Sequence, residues 1–431
     1  MKRKIEKELL EWKNDTFHKP LILHGARQVG KTYILRKFGD EHYVNTAYFN
    51  LESNQAVASY FDENISPDKI IRYLEASIGE QIIPGKTLII FDEIQSCERA
   101  LTSLKYFYED APEYHIAAAG SLLGVAINRE HASFPVGKVA MKKLHPLDLE
   151  EYLWAVGEQL LCDEIHHCFD GLAPLPVALH QRAIDRYREY LIVGGMPGSI
   201  NVFSRTGSFI DVGNTKEEII SNYAADMAKY ASASEAVKIR ACFNSIPAQL
   251  AKDNKKFQYK VVQRGGSATI FGSSLDWLDQ SGVILKCQRV EQGKEPLPAY
   301  VDPSSFKIYM CDTGLLVQKS GLSMQTILSV EPNAFLGAIT ENYVAQQLAS
   351  KGYFLQYWAT SNSQAELDFV FQKQEKITAL EVKSTEHVRS RSLTMFMQKY
   401  NPKRAVRISA KNFGMTENNI LCIPLYAAFC L

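Results

Sequence analysis

Between the apolar run Pro20-Leu21-Ile22-Leu23-His24 and a helical stretch from Tyr33 to Phe38 stand the residues Gly25-Ala26-Arg27-Gln28-Val29-Gly30-Lys31-Thr32. This G-x-x-x-x-G-K-[ST] spacing constrains the fold more than any other feature, because it works only as a turn from a buried strand into a helix. The glycines let the backbone wrap around phosphate with its N–H groups pointing inward, and the helix N-terminus adds its dipole. The expected nucleotide-binding residues are therefore Gly25, Arg27, Gln28, Val29, Gly30, Lys31, Thr32 and Tyr33, with Lys31 on the β- and γ-phosphates of ATP and Thr32 on Mg²⁺.

About sixty residues later Thr87-Leu88-Ile89-Ile90-Phe91 ends in Asp92-Glu93. Four apolar residues before two acids read as a buried strand that delivers carboxylates to its C-terminal edge, where open α/β sheets bind ligands. Asp92 is expected to hold Mg²⁺ through water, and Glu93 to polarise the attacking water. Ala119-Gly120-Ser121 ends the next strand-like run, so Ser121 is either a γ-phosphate sensor or the N-cap of a helix from Leu122 onward. Strand-like runs at 20–24, 46–50, 87–91 and 115–119 alternate with helical stretches. That alternation predicts an α/β fold, a parallel sheet covered by helices on both faces.

A chain of 431 residues is too long for one ordinary core, since single cores stop growing at roughly 250 to 300 residues. The patterning suggests an ATPase core over 1–155, a helical lid over 156–215, a winged-helix-like module over 216–330 and an α/β nuclease-like domain over 331–431. The winged-helix reading rests on helices between 216 and 280, the last over Ser267–Gln280, followed by Gly282-Val283-Ile284-Leu285. Such modules bind DNA or serve as rigid adaptors, and fold alone does not decide between the two.

Lys plus Arg (48) equals Asp plus Glu (48), so no global field draws the chain to nucleic acid, and any DNA contact needs a local patch. The basic N-terminus runs into Glu6, Glu8 and Glu11, which argues against a secretory leader. No apolar run approaches the roughly 20 residues of a membrane helix. The eight cysteines are scattered, as expected of reduced thiols in a cytoplasmic protein. Cys162, His166, His167 and Cys168 match no usual zinc spacing and read as part of a half-exposed helix or loop.

Beyond Gly337, a helix to Lys351 precedes three strand-like runs, and it is here that a second set of acids gathers. Glu341, Asp368 and Glu381-Val382-Lys383 reproduce the layout of PD-(D/E)xK nucleases. In such sites Glu341, Asp368 and Glu381 would hold a divalent ion while Asp368, Glu381 and Lys383 act on the scissile phosphate. Glu381 and Lys383 share a strand face, as do Glu366 and Asp368. The alternative is a scaffold that has lost catalysis, with the charges held as a buried ion pair. Lys399, Lys403, Arg404, Arg407 and Lys411, with Tyr400, would line a phosphate path or form a solvated face.

Taken together the chain resembles the AAA-type ATPases of bacteria and archaea that carry a C-terminal domain of unknown function, number 4143. The marks are GARQVGKT at 25–32, IFDEIQ at 90–95, AGSLLG at 119–124, FPVGKVAMKKLHPLDLEEYL at 134–153, YLIVGGMPGSI at 190–200 and KIYMCDTGLL at 307–316. Many relatives have Gly-Arg where this chain has Gly137-Lys138, and lysine lacks the planar fork of an arginine finger. Arg27, Arg99 and Arg129 stand as substitutes. The resemblance implies an ATP hydrolase, open to assembly into an oligomer. Its partner is either DNA or a protein bound under nucleotide control. A small-molecule kinase is disfavoured, because a glutamate beside Asp92 suits water as the acceptor.

Overall fold

The computed structural model describes residues 1–121, 134–253, 255–329, 333–360, 364–374, 376–385 and 391–431. It divides into two compact units. One is Lys2–His145 with Gln280–Gly282, and the other takes in Met1, Pro146–Asp279 and Val283–Leu431.

The first unit contains α1 (Ile5–Asn14), β1 (Leu21–His24), α2 (Lys31–His42), β2 (Asn45–Asn50), α3 (Gln55–Glu63), α4 (Pro67–Ile78), β3 (Thr87–Asp92), α5 (Glu98–Asp110), β4 (His115–Gly120) and β5 (Ala140–Lys143). All five strands are parallel, in the order β2-β3-β4-β1-β5. The sequence patterns explain the order. β3 and β4 are buried along their whole length, as continuous apolar strands inside a doubly covered sheet must be. β5 alternates half-buried and exposed residues and forms an edge. Residues two apart share a face, so Ala47, Phe49, Ile89, Phe91, Ile116 and Ala118 line one side against α3, α4 and α5. The helix expected over Tyr33–Phe38 is longer, beginning at Lys31 and ending at His42.

The second unit opens with α6 (Leu149–Ala155), α7 (Gln159–Gly171), α8 (Val177–Val193), α9 (Pro197–Thr206), α10 (Phe209–Tyr230), α11 (Ala233–Leu250), α12 (Tyr259–Val262) and α13 (Ala268–Gln280). There follow β6 (Ile284–Val290), β7 (Val301–Met310), α14 (Thr313–Ser320), α15 (Met324–Ser329), α16 (Ala334–Ser350), β8 (Gln356–Ala359), β9 (Glu366–Leu367), β10 (Phe369–Lys373), β11 (Lys376–Val382), α17 (Arg391–Tyr400), β12 (Arg404–Ser409), β13 (Gly414–Met415) and β14 (Ile420–Pro424). The hairpin β6–β7 does follow a helix, as the winged-helix expectation has it, but β6 also pairs in parallel with β8. The resulting sheet β7-β6-β8-β9 joins strands from both sides of residue 330. A second sheet, β10-β11-β12-β14-β13, shares its core with the first: Val290, Trp358, Val370, Ile377, Leu393 and Phe396 form one buried cluster.

Two of the family marks, those at 190–200 and 307–316, meet in this unit. Asp312, fully buried, caps α14 by accepting from Leu315 N at 2.9 Å and also accepts from Gly195 N at 2.5 Å. A Cβ on Gly314 would lie 2.6 Å from the Gly194 Cα, so both positions exclude side chains. These marks are a packing clamp, and they hold no expected ligand. No helix among the described residues is long and apolar enough to cross a membrane.

Candidate nucleotide site and the C-terminal acid cluster

β4 lies between β1 and β3, with His24 opposite Gly120 and Phe91 opposite Ala118. The C-terminal ends of three adjoining strands therefore present the loop after β1, then Ser121, then Asp92 and Glu93. The loop leaves β1 at Gly25, whose φ of 145° and whose 2.2 Å clearance between a built Cβ and Leu144 O exclude any other residue. Gln28 and Gly30 also have positive φ, at 66° and 96°, and Gly30 hands the chain directly to the N-terminus of α2. Val29 is buried beneath the loop, Arg27 is half-buried, and Gln28 and Tyr33 face solvent.

Lys31 is buried, and its ammonium donates to Gly25 O at 3.0 Å and Ala26 O at 2.8 Å, inside the turn. The Thr32 hydroxyl donates to Asp92 Oδ2 at 2.9 Å, and the Tyr48 hydroxyl donates to the same oxygen at 2.7 Å. Burial and this bond push the Tyr48 phenol up to about 12, so it stays a neutral donor. Asp92, itself buried, is thus partnered by neutral hydroxyls. A hydroxyl and a carboxylate meeting beside an anion-cradling loop are the hard oxygen donors that Mg²⁺ takes alongside phosphate, so the residues fit Mg²⁺ with ATP.

Glu93 sits in the left-handed region (φ 52°, ψ 44°), a strain on the order of 1 kcal/mol for such a residue. Its Oε2 accepts from Gln95 Nε2 at 2.5 Å and from Ser121 Oγ at 3.3 Å. The expected water-polarising acid and the expected sensor are therefore hydrogen-bonded to each other. The competing role of Ser121, capping a helix from Leu122, falls on residues outside those described, as does Arg129. His24, at the root of the loop, is held neutral, with its imidazole lowered to about 4 by burial and by Lys143 and Lys31.

Lys138 pairs with Glu109 at 2.9 Å. It precedes β5, which begins at Ala140 opposite Leu21, so it stands at the N-terminal edge of the sheet, the far end from the loop. Arg99 is also engaged elsewhere, donating to Phe61 O at 2.6 Å.

The C-terminal acids come together differently. Glu341, buried on α16, accepts from Lys307 Nζ at 2.9 Å and also from Lys255 Nζ and the Tyr309 hydroxyl. Lys307, fully buried on β7, also reaches Glu366 at 2.6 Å. Burial by itself would lower its pKa, yet Glu341, Glu366 and Asp368 hold it well above the usual lysine value. Asp368 lies where the chain passes from β9 into β10, and its Oδ2 accepts from Val382 N at 2.7 Å. Burial, then the Glu341 charge, raise its carboxyl, whereas Lys255 and Lys307 overcome burial at Glu341 and lower it. Glu381 pairs with Lys383 at 3.1 Å, and its buried Oε2 has no hydrogen-bond partner among the described residues.

The carboxylate oxygens of Glu341, Asp368 and Glu381 do not all lie within 4.8 Å of one another. With Glu341 taken by two ammonium groups and a phenol, its charge is already compensated from within the chain.

Tyr48, Gln95, Lys255, Lys307 and Tyr309 lie outside the expected site residues. Tyr48 is a polar tip on an otherwise ordinary strand and carries no signal in the sequence. Lys307 does carry one, since in Phe306-Lys307-Ile308-Tyr309-Met310 a single charge interrupts an apolar run.

Residues 17–153 match the AAA domain family, and residues 336–427 match a domain of unknown function, DUF4143. A further domain of unknown function, DUF8612, matches residues 184–326. No curated protein matches the chain. Among solved structures the chain is similar to the Walker-type ATPase PABY2304 of Pyrococcus abyssi, with 16% identity over 74% of this chain and 95% of that one, at a TM-score of 0.45. It is similar also to the ORC2 protein of Aeropyrum pernix with ADPNP and ADP, with 11% identity over 79% and 91%, at a TM-score of 0.36. At such scores the likeness adds nothing to what the residues carry. The chain thus carries an AAA domain over residues 17–153 and the domain of unknown function 4143 over residues 336–427, the combination that its sequence marks resemble.

Proposed function

We propose that the chain is a Mg²⁺-dependent ATP hydrolase whose nucleotide state governs what its C-terminal region binds. One observation carries the reading: at adjoining strand ends, Thr32 meets Asp92 at 2.9 Å and Glu93 meets Ser121 at 3.3 Å beside a phosphate-cradling loop. The loop amides and the α2 N-terminus bind the phosphates of ATP, and Lys31 exchanges the carbonyls of Gly25 and Ala26 for β- and γ-phosphate oxygens. Thr32 and Asp92 hold Mg²⁺, which when bound neutralises phosphate charge. Glu93, released from Ser121 and Gln95, orients the attacking water and accepts its proton. Ser121 then donates to the γ-phosphate.

Lys138 cannot serve its own loop from the opposite sheet edge. Either Arg27 supplies the remaining positive charge, or a residue from a neighbouring copy does, in which case a lone chain hydrolyses ATP slowly. Residues 1–155 act as the ATPase core, 156–215 as a lid, 216–330 as a winged-helix-like module and 331–431 as a nuclease-like scaffold. The free cysteines suit a reducing cytoplasm.

For the C-terminal region, the lysine partners of Glu341 favour a catalytically silent domain that binds protein. The second reading, metal-dependent cleavage of DNA, is favoured by the unpartnered Oε2 of Glu381.

The test pairs two assays on the full chain. Lys31→Ala should lose tight ATP binding, and Glu93→Gln should keep binding and lose turnover. Turnover by Lys31→Ala equal to wild type would sink the ATPase reading. In parallel, linear and circular DNA is incubated with Mg²⁺ or Mn²⁺, with and without ATP. The proposal expects no cutting, whereas cutting lost in Lys383→Ala would install the second reading.

A further inference from the structure

α7 carries four residues with metal-binding chemistry, Cys162, His166, His167 and Cys168. A helix of 3.6 residues per turn sorts them, because positions four apart lie one above the other while the next positions turn away. Cys162 and His166 therefore share a face, and His167 and Cys168 do not join them. Cys168 is directed instead to Glu164, 3.6 Å away on its own helix.

The third member of the cluster comes from α6, which no spacing rule on α7 reaches. Glu150 Oε1 lies 2.7 Å from His166 Nε2 and 3.8 Å from Cys162 Sγ. Among the described residues, these three form the one group of histidine, cysteine and acidic donors whose ligand atoms all lie within 4.8 Å of one another. On the other side of the imidazole, Nδ1 faces Cys430 Sγ at 3.7 Å, and the ring packs edge-on against Phe429. A histidine whose second nitrogen is engaged in this way presents its first in a fixed orientation, the usual arrangement behind a metal-bound imidazole.

We propose that Glu150, Cys162 and His166 form a Zn²⁺ site that ties α6 to α7. Zinc bonds of about 2.0–2.2 Å to oxygen, 2.0–2.1 Å to nitrogen and 2.3 Å to sulfur, set tetrahedrally, need donor separations of roughly 3.3–3.6 Å. The present separations of 2.7 and 3.8 Å bracket that range, so small side-chain rotations suffice. A thiolate, an imidazole and one carboxylate select zinc over Mg²⁺ or Ca²⁺, which demand oxygen donors. On binding, the Cys162 S–H bond breaks as the zinc–sulfur bond forms, and the proton goes to solvent. The Nε2 proton of His166, shared with Glu150, is lost from that nitrogen as the zinc–nitrogen bond forms, and through solvent the imidazole takes its hydrogen on Nδ1, which faces Cys430 Sγ; Nε2 and Glu150 Oε1 then each bond the metal. The fourth position opens on the solvent side, where the His166 side chain is 42% exposed, and water fills it. With three protein ligands and one water, the site has the ligand count of zinc sites that keep an open position.

The experiment uses the full chain, freed of metal with a chelator and titrated with Zn²⁺ alone against a chromophoric competitor, then with Co²⁺ followed by absorption. One equivalent of Zn²⁺ and a thiolate-to-cobalt charge-transfer band are expected. Cys162→Ser should remove the band and weaken zinc by at least about tenfold, as should His166→Ala, while Cys168→Ser and His167→Ala keep both. Thermal unfolding identifies a variant that has failed to fold. In that event the control variants still decide, since the proposal is overturned if Cys168→Ser loses the band. It is overturned equally if the wild type binds less than one equivalent, or if a folded Cys162→Ser binds as the wild type does.

Discussion

Two buried carboxylates of the chain, Asp92 and Glu341, are partnered in opposite ways. Asp92 is met by two neutral hydroxyls, from Thr32 and Tyr48, so its charge remains available to a cation. Glu341 is met by Lys255, Lys307 and Tyr309, so its charge is already neutralised from within the chain. A buried carboxylate does not by itself signal a metal centre. What decides is whether its nearest donors bring positive charge of their own, because a buried charge must be compensated and a site compensated by lysine gains little from a divalent ion.

The comparison is broken most directly at Lys307. Lys307→Met takes the fully buried cation from the buried Glu341, which keeps Lys255, and from the half-buried Glu366, and should cost about 3–5 kcal/mol. Chemical denaturation followed by intrinsic fluorescence would read it. If millimolar Mg²⁺ restores the lost stability, the cluster accepts a metal once its lysine is removed, and the two sites differ only by that side chain. At the other site, Asp92→Asn removes the negative charge and leaves the hydroxyls in place. Steady-state hydrolysis should fall by at least about a hundredfold, which is about 2.7 kcal/mol of transition-state stabilisation. Unchanged Mg²⁺ dependence in that variant would mean that Asp92 does not hold the ion.

How much of each site is legible in the sequence follows from the range of its interactions. The nucleotide loop is local: strand, glycines, lysine and helix are contiguous, so Gly25 to Thr32 are recognisable from the order of residues alone. Asp92 is recognisable too, since four apolar residues lead straight to it. Tyr48 is not, because its role depends on β2 lying beside β3, a pairing of strands far apart in the chain. The C-terminal acids are recognisable as acids, but their partners are not. Lys255 follows α11 and Lys307 lies on β7, and only tertiary packing brings them to Glu341 on α16. The same reason hides Glu150 behind His166.

Asp368 offers a subtler contrast, through pH. Burial and the neighbouring Glu341 raise its carboxyl to about 6, so the folded chain binds a proton there that the unfolded chain, at roughly 3.9, releases. Stability from this group is therefore full below about pH 4 and is lost as pH rises through about 6, a change of roughly 3 kcal/mol. Glu341 behaves in the opposite sense. Its lowered carboxyl contributes stability above the ordinary carboxylate range, which is lost as pH falls toward about 2. Asp368→Asn should flatten the unfolding midpoint between pH 4 and pH 6 while leaving the acid limb in place. A wild-type profile already flat in that window would show that Asp368 is ionised throughout and that its surroundings are more positive than Glu341 allows.

The smallest expected effect lies at Tyr48, and it tests whether neutral partners matter at all. Tyr48→Phe removes one hydroxyl from Asp92 Oδ2 and keeps the ring on which the Arg36 guanidinium lies, 4.9 Å from the centroid. Losing one hydrogen bond to a charged acceptor costs about 1.5–3 kcal/mol if the acceptor is left dry, and less if water or Mg²⁺ takes the place. Because Asp92 lies at a strand end beside the loop, replacement by water should hold the loss to about 1 kcal/mol, roughly a fivefold rise in the Mg²⁺ needed for half-maximal hydrolysis. Maximal turnover should be nearly unchanged, since the phenol touches neither Glu93 nor the loop. A drop in turnover at saturating Mg²⁺ would instead place Tyr48 in the chemical step, and Asp92 would then owe its readiness for a cation to Thr32 alone.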